Sequence, residues 1–229
     1  MNNIGDYLLK RFNIKPVHMN LYDLALTHPS CNAENRTKHH DYERLEFVGD
    51  SVIGFVSADL IYKHHPEMDQ GLMSKLRSFL VCSKSLAGYT RKLGLVEYIK
   101  TGHSINREQL EKSDKILEDV FEALMGAIYL DLGIKIAYQV IKSILLEDIK
   151  KTGVDEVVDA KTRLQEDIQA EYRDAVKYVL VSTEGPAHNR TFTVEVMFNG
   201  IVLGRGTGKS KKAAEEAAAK DALSKKAGI

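Results

Sequence analysis

Along the first 150 residues apolar side chains recur every three or four positions, the spacing that lines one face of an α-helix, and strict alternation is scarce. Glycine and proline punctuate this pattern at Pro16, Pro29, Pro66, Gly71, Gly94, Gly102 and Gly133. The pattern predicts helices over residues 3–12, 20–28, 41–64, 71–93, 95–99, 107–112, 114–131 and 134–150. Between Lys150 and Asp159 the residues are charged and weakly patterned, as a linker would be. A helix is then predicted over 159–171, capped by Asp159, whose carboxylate can accept first-turn amide hydrogens. From Thr191 to Phe198, the side chains of Phe192, Val194, Val196 and Phe198 alternate with outward residues, which is a strand with one buried face. Asn199-Gly200 supplies a hairpin turn, strands at 175–183 and 201–207 flank it, and Ser210 to Leu223 predicts an alanine-rich helix. The expected fold class is an all-α domain over 1–150, a linker at 151–158, and a small α+β domain of order α-β-β-β-α over 159–229.

Charge changes this picture only locally. The 32 basic and 32 acidic residues cancel, and they cancel again within each part: 20 of each before Gly153 and 12 of each after it. Overall neutrality weighs mildly against a nucleic-acid partner, so any phosphate contact must rest on patches. Cys31 and Cys82 are too few for a disulfide framework or a zinc site. No secretion signal opens the chain and no apolar run reaches a membrane span, so a cytoplasmic protein with no membrane association is expected.

The acidic residues carry the first candidate chemistry. Glu43, Glu46 and Asp50 fall at i, i+3 and i+7, on one narrow helix face. In the helix from Ile116 to Leu130 the only charges are Glu118, Asp119 and Glu122, so a largely buried helix carries carboxylates. Asp119 and Glu122 share a face, although spacing leaves open whether Glu118 or Asp119 pairs with Glu122. If that face meets Glu46 and Asp50, the carboxylates repel unless a hard divalent cation neutralises them. The plain alternative is a solvated face on which Lys115 pairs with Asp119 at i, i+4.

The last helix begins in a second cluster. In Gly204-Arg-Gly-Thr-Gly-Lys-Ser-Lys-Lys212 four cations meet no acid, so Lys209, Lys211 and Lys212 would add charge to the positive end of a helix dipole. Gly-Lys-Ser also invites a nucleotide-binding loop, but the glycine such a loop needs would fall at Leu203. His39, His40, His64 and His65 read as surface residues without zinc-ligand spacing.

Tyr42-Glu-Arg-Leu-Glu-Phe-Val-Gly-Asp-Ser51 resembles the signature of the ribonuclease III family, and Asp119-Val-Phe-Glu-Ala-Leu-Met-Gly126 resembles its second acidic motif. Ala25-Leu-Thr-His-Pro-Ser30 and Gly71-Leu-Met-Ser-Lys-Leu-Arg77 also fit, and the tail resembles a double-stranded-RNA-binding domain. The resemblance implies an endonuclease that uses Mg²⁺, or Mn²⁺ in its place, to cut double-stranded RNA to 5′-phosphate and 3′-hydroxyl ends, processing structured rRNA and mRNA precursors. It implies Glu46, Asp50, Asp119 and Glu122 as metal ligands, with Asp50 and Glu122 catalytic and Glu43 in a supporting role. It implies Thr162, Gln165, Glu166 and His188 as RNA contacts beside the three lysines, and a homodimer with Phe47 at its interface. Two positions depart from many relatives: Gln70 stands where a glutamate is common, and Tyr42, where asparagine is common, reads as peripheral to the metal site. The competing class is a non-catalytic double-stranded-RNA-binding dimer, which would have no use for four carboxylates on apolar helices.

Overall fold

A computed structural model describes residues 3–35, 40–153, 160–186 and 189–226. The chain folds as two compact units, Met1–Thr152 and Gly153–Ile229. The first is all helical: α1 (Ile4–Phe12), α2 (Met19–Ala25), α3 (Ser30–Asn35), α4 (Glu43–His64), α5 (Gln70–Leu80), α6 (Ser83–Lys92), a 3₁₀ turn at Leu95–Tyr98, α7 (Arg107–Lys112) and α8 (Asp114–Lys151). The core forms where α4 crosses α8, with Leu45, Val52, Ile53, Val56, Leu60 and Ile61 buried on one helix and Leu117, Val120, Phe121, Leu124, Met125 and Ile128 on the other. α8 bends at Gly133, whose φ of 80° and ψ of 172° lie outside the helical region and are open to glycine. That bend falls between the two helices predicted over 114–131 and 134–150.

Two expectations fail locally. The single helix predicted over 71–93 is two, because Cys82 is extended (φ −73°, ψ 158°) and Ser85 Oγ donates to Phe79 O at 2.9 Å. Serines near a chain reversal bond to the backbone and compete with helix continuation. His65 is buried, not a surface residue: its ring nitrogens lie 2.7 Å from Ile149 O and 2.8 Å from Glu67 Oε1, tying the end of α4 to the end of α8. His40 is exposed and His64 half-buried, while His39 and Asp159 lie outside the described residues.

The second unit runs α9 (Ala160–Tyr172), β1 (Lys177–Glu184), β2 (Thr191–Phe198), β3 (Ile201–Gly208) and α10 (Lys211–Lys226), with an antiparallel sheet ordered β1-β2-β3. Asn199 and Gly200 both take positive φ, 48° and 81°, as the tight β2–β3 turn requires. Behind the sheet, Ala160, Leu164 and Ile168 of α9 and Ala214, Ala218, Ala219 and Ala222 of α10 pack on Val194 and Val196. A Cβ on Gly206 would lie 2.1 Å from Ala218 N, so α10 rests against the strand's backbone itself. Among the described residues, no helix is long and apolar enough to cross a membrane.

Candidate active site and nucleic-acid interface

The α4–α8 crossing brings the two acidic stripes together. A Cβ on Gly49 would lie 1.7 Å from Glu122 O, and one on Gly126 would lie 2.3 Å from Leu45 O. Only hydrogen side chains allow the backbones this close, and the contact sets Glu46 and Asp50, on either side of Gly49, against Asp119 and Glu122. Glu46, Asp119 and Glu122 each offer a carboxylate oxygen, all within 4.8 Å of one another. Of the pair that spacing left open, Asp119 rather than Glu118 joins Glu122 in this trio. Asp50 is exposed at the rim, outside the trio, yet its charge is the largest Coulombic influence on Glu122. Glu43 is exposed at the first turn of α4, where its N–H donates to Asp41 Oδ1 at 3.1 Å. Gln70, also exposed, turns its amide to Ser74 Oγ at 3.4 Å.

Burial makes the charge density consequential. Asp119 and Glu122 are 5% and 8% exposed. Desolvation first, then the charges of Asp50, Glu118, Glu46 and Asp119, push the Glu122 carboxyl up to about 8. Burial, then the Asp119 charge, raises Glu46 as well, with Lys115 opposing. Lys115 Nζ lies 2.6 Å from Asp119 Oδ1 and 3.5 Å from Glu46 Oε1, the i, i+4 pairing that the sequence allowed. That contact with Asp119, ahead of the neighbouring carboxylates, holds the ammonium above its ordinary range.

Tyr42 is not peripheral. It is buried, its hydroxyl donates to Asp119 Oδ2 at 3.2 Å, and its ring meets the His28 ring edge-on with centroids 5.6 Å apart. Burial and then Asp119 keep this phenol protonated and therefore a donor. His28 is fixed in turn: Ser30 N–H donates to its Nδ1 at 3.0 Å, and Ser30 Oγ accepts from Gly102 N–H at 2.8 Å. Asp119 Oδ1, by contrast, is buried with no hydrogen-bond donor aligned on it, and the Lys115 ammonium stands 2.6 Å away. A set of hard carboxylate oxygens crowded within 4.8 Å, two of their side chains nearly closed to water and the Lys115 ammonium bringing one positive charge, fits a divalent cation of the magnesium kind.

In the second unit four of the predicted RNA-facing residues, Thr162, Gln165, Glu166 and Lys212, share one cleft. Thr162, Gln165 and Glu166 of α9, Lys161, Tyr178 and Lys212 line a cleft of about 580 Å³. Ser210 caps α10, accepting from Ala213 N–H at 3.1 Å, so Lys211 and Lys212 occupy its first turn and are exposed. Lys209 Nζ donates to Asn189 Oδ1 at 2.8 Å and Thr191 Oγ1 at 3.3 Å, both neutral oxygens. Arg205, in a stretch of sequence without an acid, approaches Glu195 Oε1 of the neighbouring strand at 3.8 Å. Gln165 also braces its own fold, its Oε1 accepting from Val176 N–H at 3.3 Å. His188 lies outside the described residues.

Sequence reasoning overlooked Gly49, Gly126 and the Tyr42 hydroxyl. Each glycine interrupts an otherwise good helix and sits within an acidic motif, which is the signal that could have marked a close crossing.

Comparison with known proteins bears on both units. Residues 18–149 match the family described as ribonuclease-III-like, and residues 160–226 match the double-stranded RNA binding motif. The chain is 41% identical over 225 residues to ribonuclease 3 of Onion yellows phytoplasma (strain OY-M), covering 98% of this chain and 92% of that protein. It is 38% identical over 224 residues to ribonuclease 3 of Streptococcus pyogenes serotype M3 (strain SSI-1), covering 97% of each. Its fold is similar to the solved nuclease domain of ribonuclease III from Campylobacter jejuni, with 31% identity, a TM-score of 0.57, and coverage of 67% of this chain and 99% of that one. Neutral overall charge was therefore a misleading guide, because a double-stranded RNA binding motif is present despite it. With buried carboxylates in the helical unit and a duplex-RNA motif behind it, the chain belongs to the ribonuclease III family and is an endoribonuclease.

Proposed function

We propose that the protein is a Mg²⁺-dependent endoribonuclease, with Mn²⁺ able to substitute, that cuts double-stranded RNA to 5′-phosphate and 3′-hydroxyl ends. Its substrates are structured rRNA and mRNA precursors in the cytoplasm. The observation that carries this reading is the trio of half-buried Glu46 with buried Asp119 and Glu122, whose oxygens lie within 4.8 Å of one another beside Asp50. These four carboxylates would hold the ion, with Asp50 and Glu122 serving catalysis and Glu43 supporting from the first turn of α4. When bound there, a divalent ion would supply Lewis acidity, lowering the pKa of water so that hydroxide is available as the nucleophile and offsetting charge on the departing oxygen. The chain's own part is positional. Gly49 and Gly126 set the separation of the carboxylates, and Tyr42, braced by His28, orients Asp119.

Duplex selection falls to the second unit. Thr162, Gln165, Glu166 and His188 would meet minor grooves, while Lys209, Lys211 and Lys212 span the phosphates between them. A homodimer is supported by Phe47, which is 77% exposed and so not core packing, together with exposed Phe55 and Tyr62. On a helix these three fall within an arc of roughly 80°. Dimer formation is named for the Campylobacter jejuni nuclease domain.

The test is to incubate purified protein with long duplex RNA, duplex DNA and single-stranded RNA, each with Mg²⁺ or with chelator. Cutting of duplex RNA alone, and only with Mg²⁺, is expected. Equal cutting in chelator would refute the metal assignment.

A further inference from the structure

Lys115 stands in the first turn of α8, four residues before Asp119, with a side chain 68% exposed. Its stem lies in solvent, but its ammonium turns inward, 2.6 Å from Asp119 Oδ1, 3.5 Å from Glu46 Oε1 and 3.9 Å from Glu118 Oε2. Two of these three oxygens belong to the trio assigned to the metal. An ammonium is a compact point charge on a flexible stem, so it can enter a cluster of carboxylates and also leave it. It brings one positive charge where the cluster calls for two. A divalent ion entering among the same oxygens would stand within a few ångströms of it, and like charges at that range repel.

We propose that Lys115 is a tethered counter-ion. It neutralises Asp119 and Glu46 when no metal is present, stabilises the metal-free fold, and withdraws to solvent when a divalent ion binds, so that it lowers the affinity of the site. The idea rests on the metal reading given above. Had Lys115 instead been needed to hold the carboxylates in place, its removal would weaken metal binding, which is the opposite sign.

Calorimetric titration of Mn²⁺ into metal-free full-length protein, together with melting curves, separates these cases. Lys115→Met is expected to bind Mn²⁺ about two- to fivefold tighter, the range that matches loss of one largely exposed ion pair. It should also melt at a lower temperature than wild type without metal and gain more on its addition. Lys115→Arg, which keeps the charge, should stay near wild type, and Lys115→Gln supplies the same comparison if methionine is not tolerated. Unchanged or weaker Mn²⁺ binding by the neutral variants, with wild type binding normally, would overturn the counter-ion role alone. Absence of saturable Mn²⁺ binding by wild type, or equal binding by Glu122→Gln, would overturn the metal site on which it rests.

Discussion

In the helical unit the decisive charges are buried: Asp119 and Glu122 lie at the α4–α8 crossing, nearly closed to water, with Glu46 beside them. In the second unit Lys211 and Lys212 stand in the open on the first turn of α10. The two units hold acids and bases in equal numbers, so their difference comes from solvation rather than from charge count. A carboxylate deprived of water is costly, and the cost turns the site into a demand for a cation at one place. A lysine in water costs little and projects a field that salt screens over about 10 Å, which suits recruitment of a polyanion. The first arrangement should respond sharply to single-atom changes, and the second should respond gradually.

The largest expected effect tests the sharp side. Glu122→Gln preserves shape and removes one charge, and cleavage of duplex RNA with Mg²⁺ should fall on the order of 10³-fold. Duplex binding in chelator should be unchanged, since the lysines are untouched. A fully active Glu122→Gln protein would end the distinction between the two units. Next comes Gly49→Ala, which forces a methyl group into the Glu122 carbonyl and must spread the crossing. Denaturant unfolding should show a loss of about 3 kcal/mol, and Mn²⁺ binding should weaken with it. Wild-type stability in that variant would mean the helices have room that the structure does not show.

A pH series on metal-free protein tests the cost of burial directly. The Glu122 carboxyl is pushed from an ordinary 4.5 up to about 8 in the fold. Between those values the native state retains a proton that the unfolded chain has released, so stability falls as pH rises through this window and levels off above it. The expected loss is roughly 2 kcal/mol after allowing for relaxation around the site. Saturating Mg²⁺, or Glu122→Gln, should flatten the slope, and a metal-free protein that gains stability from pH 5 to 8 would contradict the assignment.

On the gradual side, replacing Lys211 and Lys212 together by alanine should weaken duplex binding about tenfold and reduce its salt slope by up to about 2. An unaltered slope in filter binding would remove α10 from the interface. The smallest effect is expected from Tyr42→Phe, where loss of one hydrogen bond to Asp119 should weaken Mn²⁺ binding by about 1 kcal/mol. A titration indistinguishable from wild type would restore Tyr42 to the periphery.

Much of this was legible in the residues because it is local. Helical periodicity marked both acidic helices, alternation marked β2, and Asn199-Gly200 marked its turn, each a property of a few consecutive positions. The union of two stripes was not local, since Gly49 and Gly126 are 77 positions apart (126 minus 49) and each reads alone as a weak point in a helix. Tyr42 was misjudged for the same reason, its partner Asp119 being just as distant in the chain. The break at Cys82 was missed because apolar spacing continues across it, while the serine that reverses the chain is polar and carries no periodic signal. His65 looked like a surface residue beside His64, and only the return of α8 gives its ring a carbonyl to meet.

The contact of Gly206 with Ala218 has a metric consequence. With backbone lying on backbone, no long side chain separates α10 from the sheet, so little can flex between them. Lys212, at the charged start of that helix, is thereby fixed as one wall of the cleft whose other wall is α9. If those walls contact duplex RNA as proposed, a duplex whose grooves repeat at another interval would present its phosphates out of step with them. On that proposal, discrimination between A-form RNA and other helices resides in the thinness of a packing layer, with no base being read.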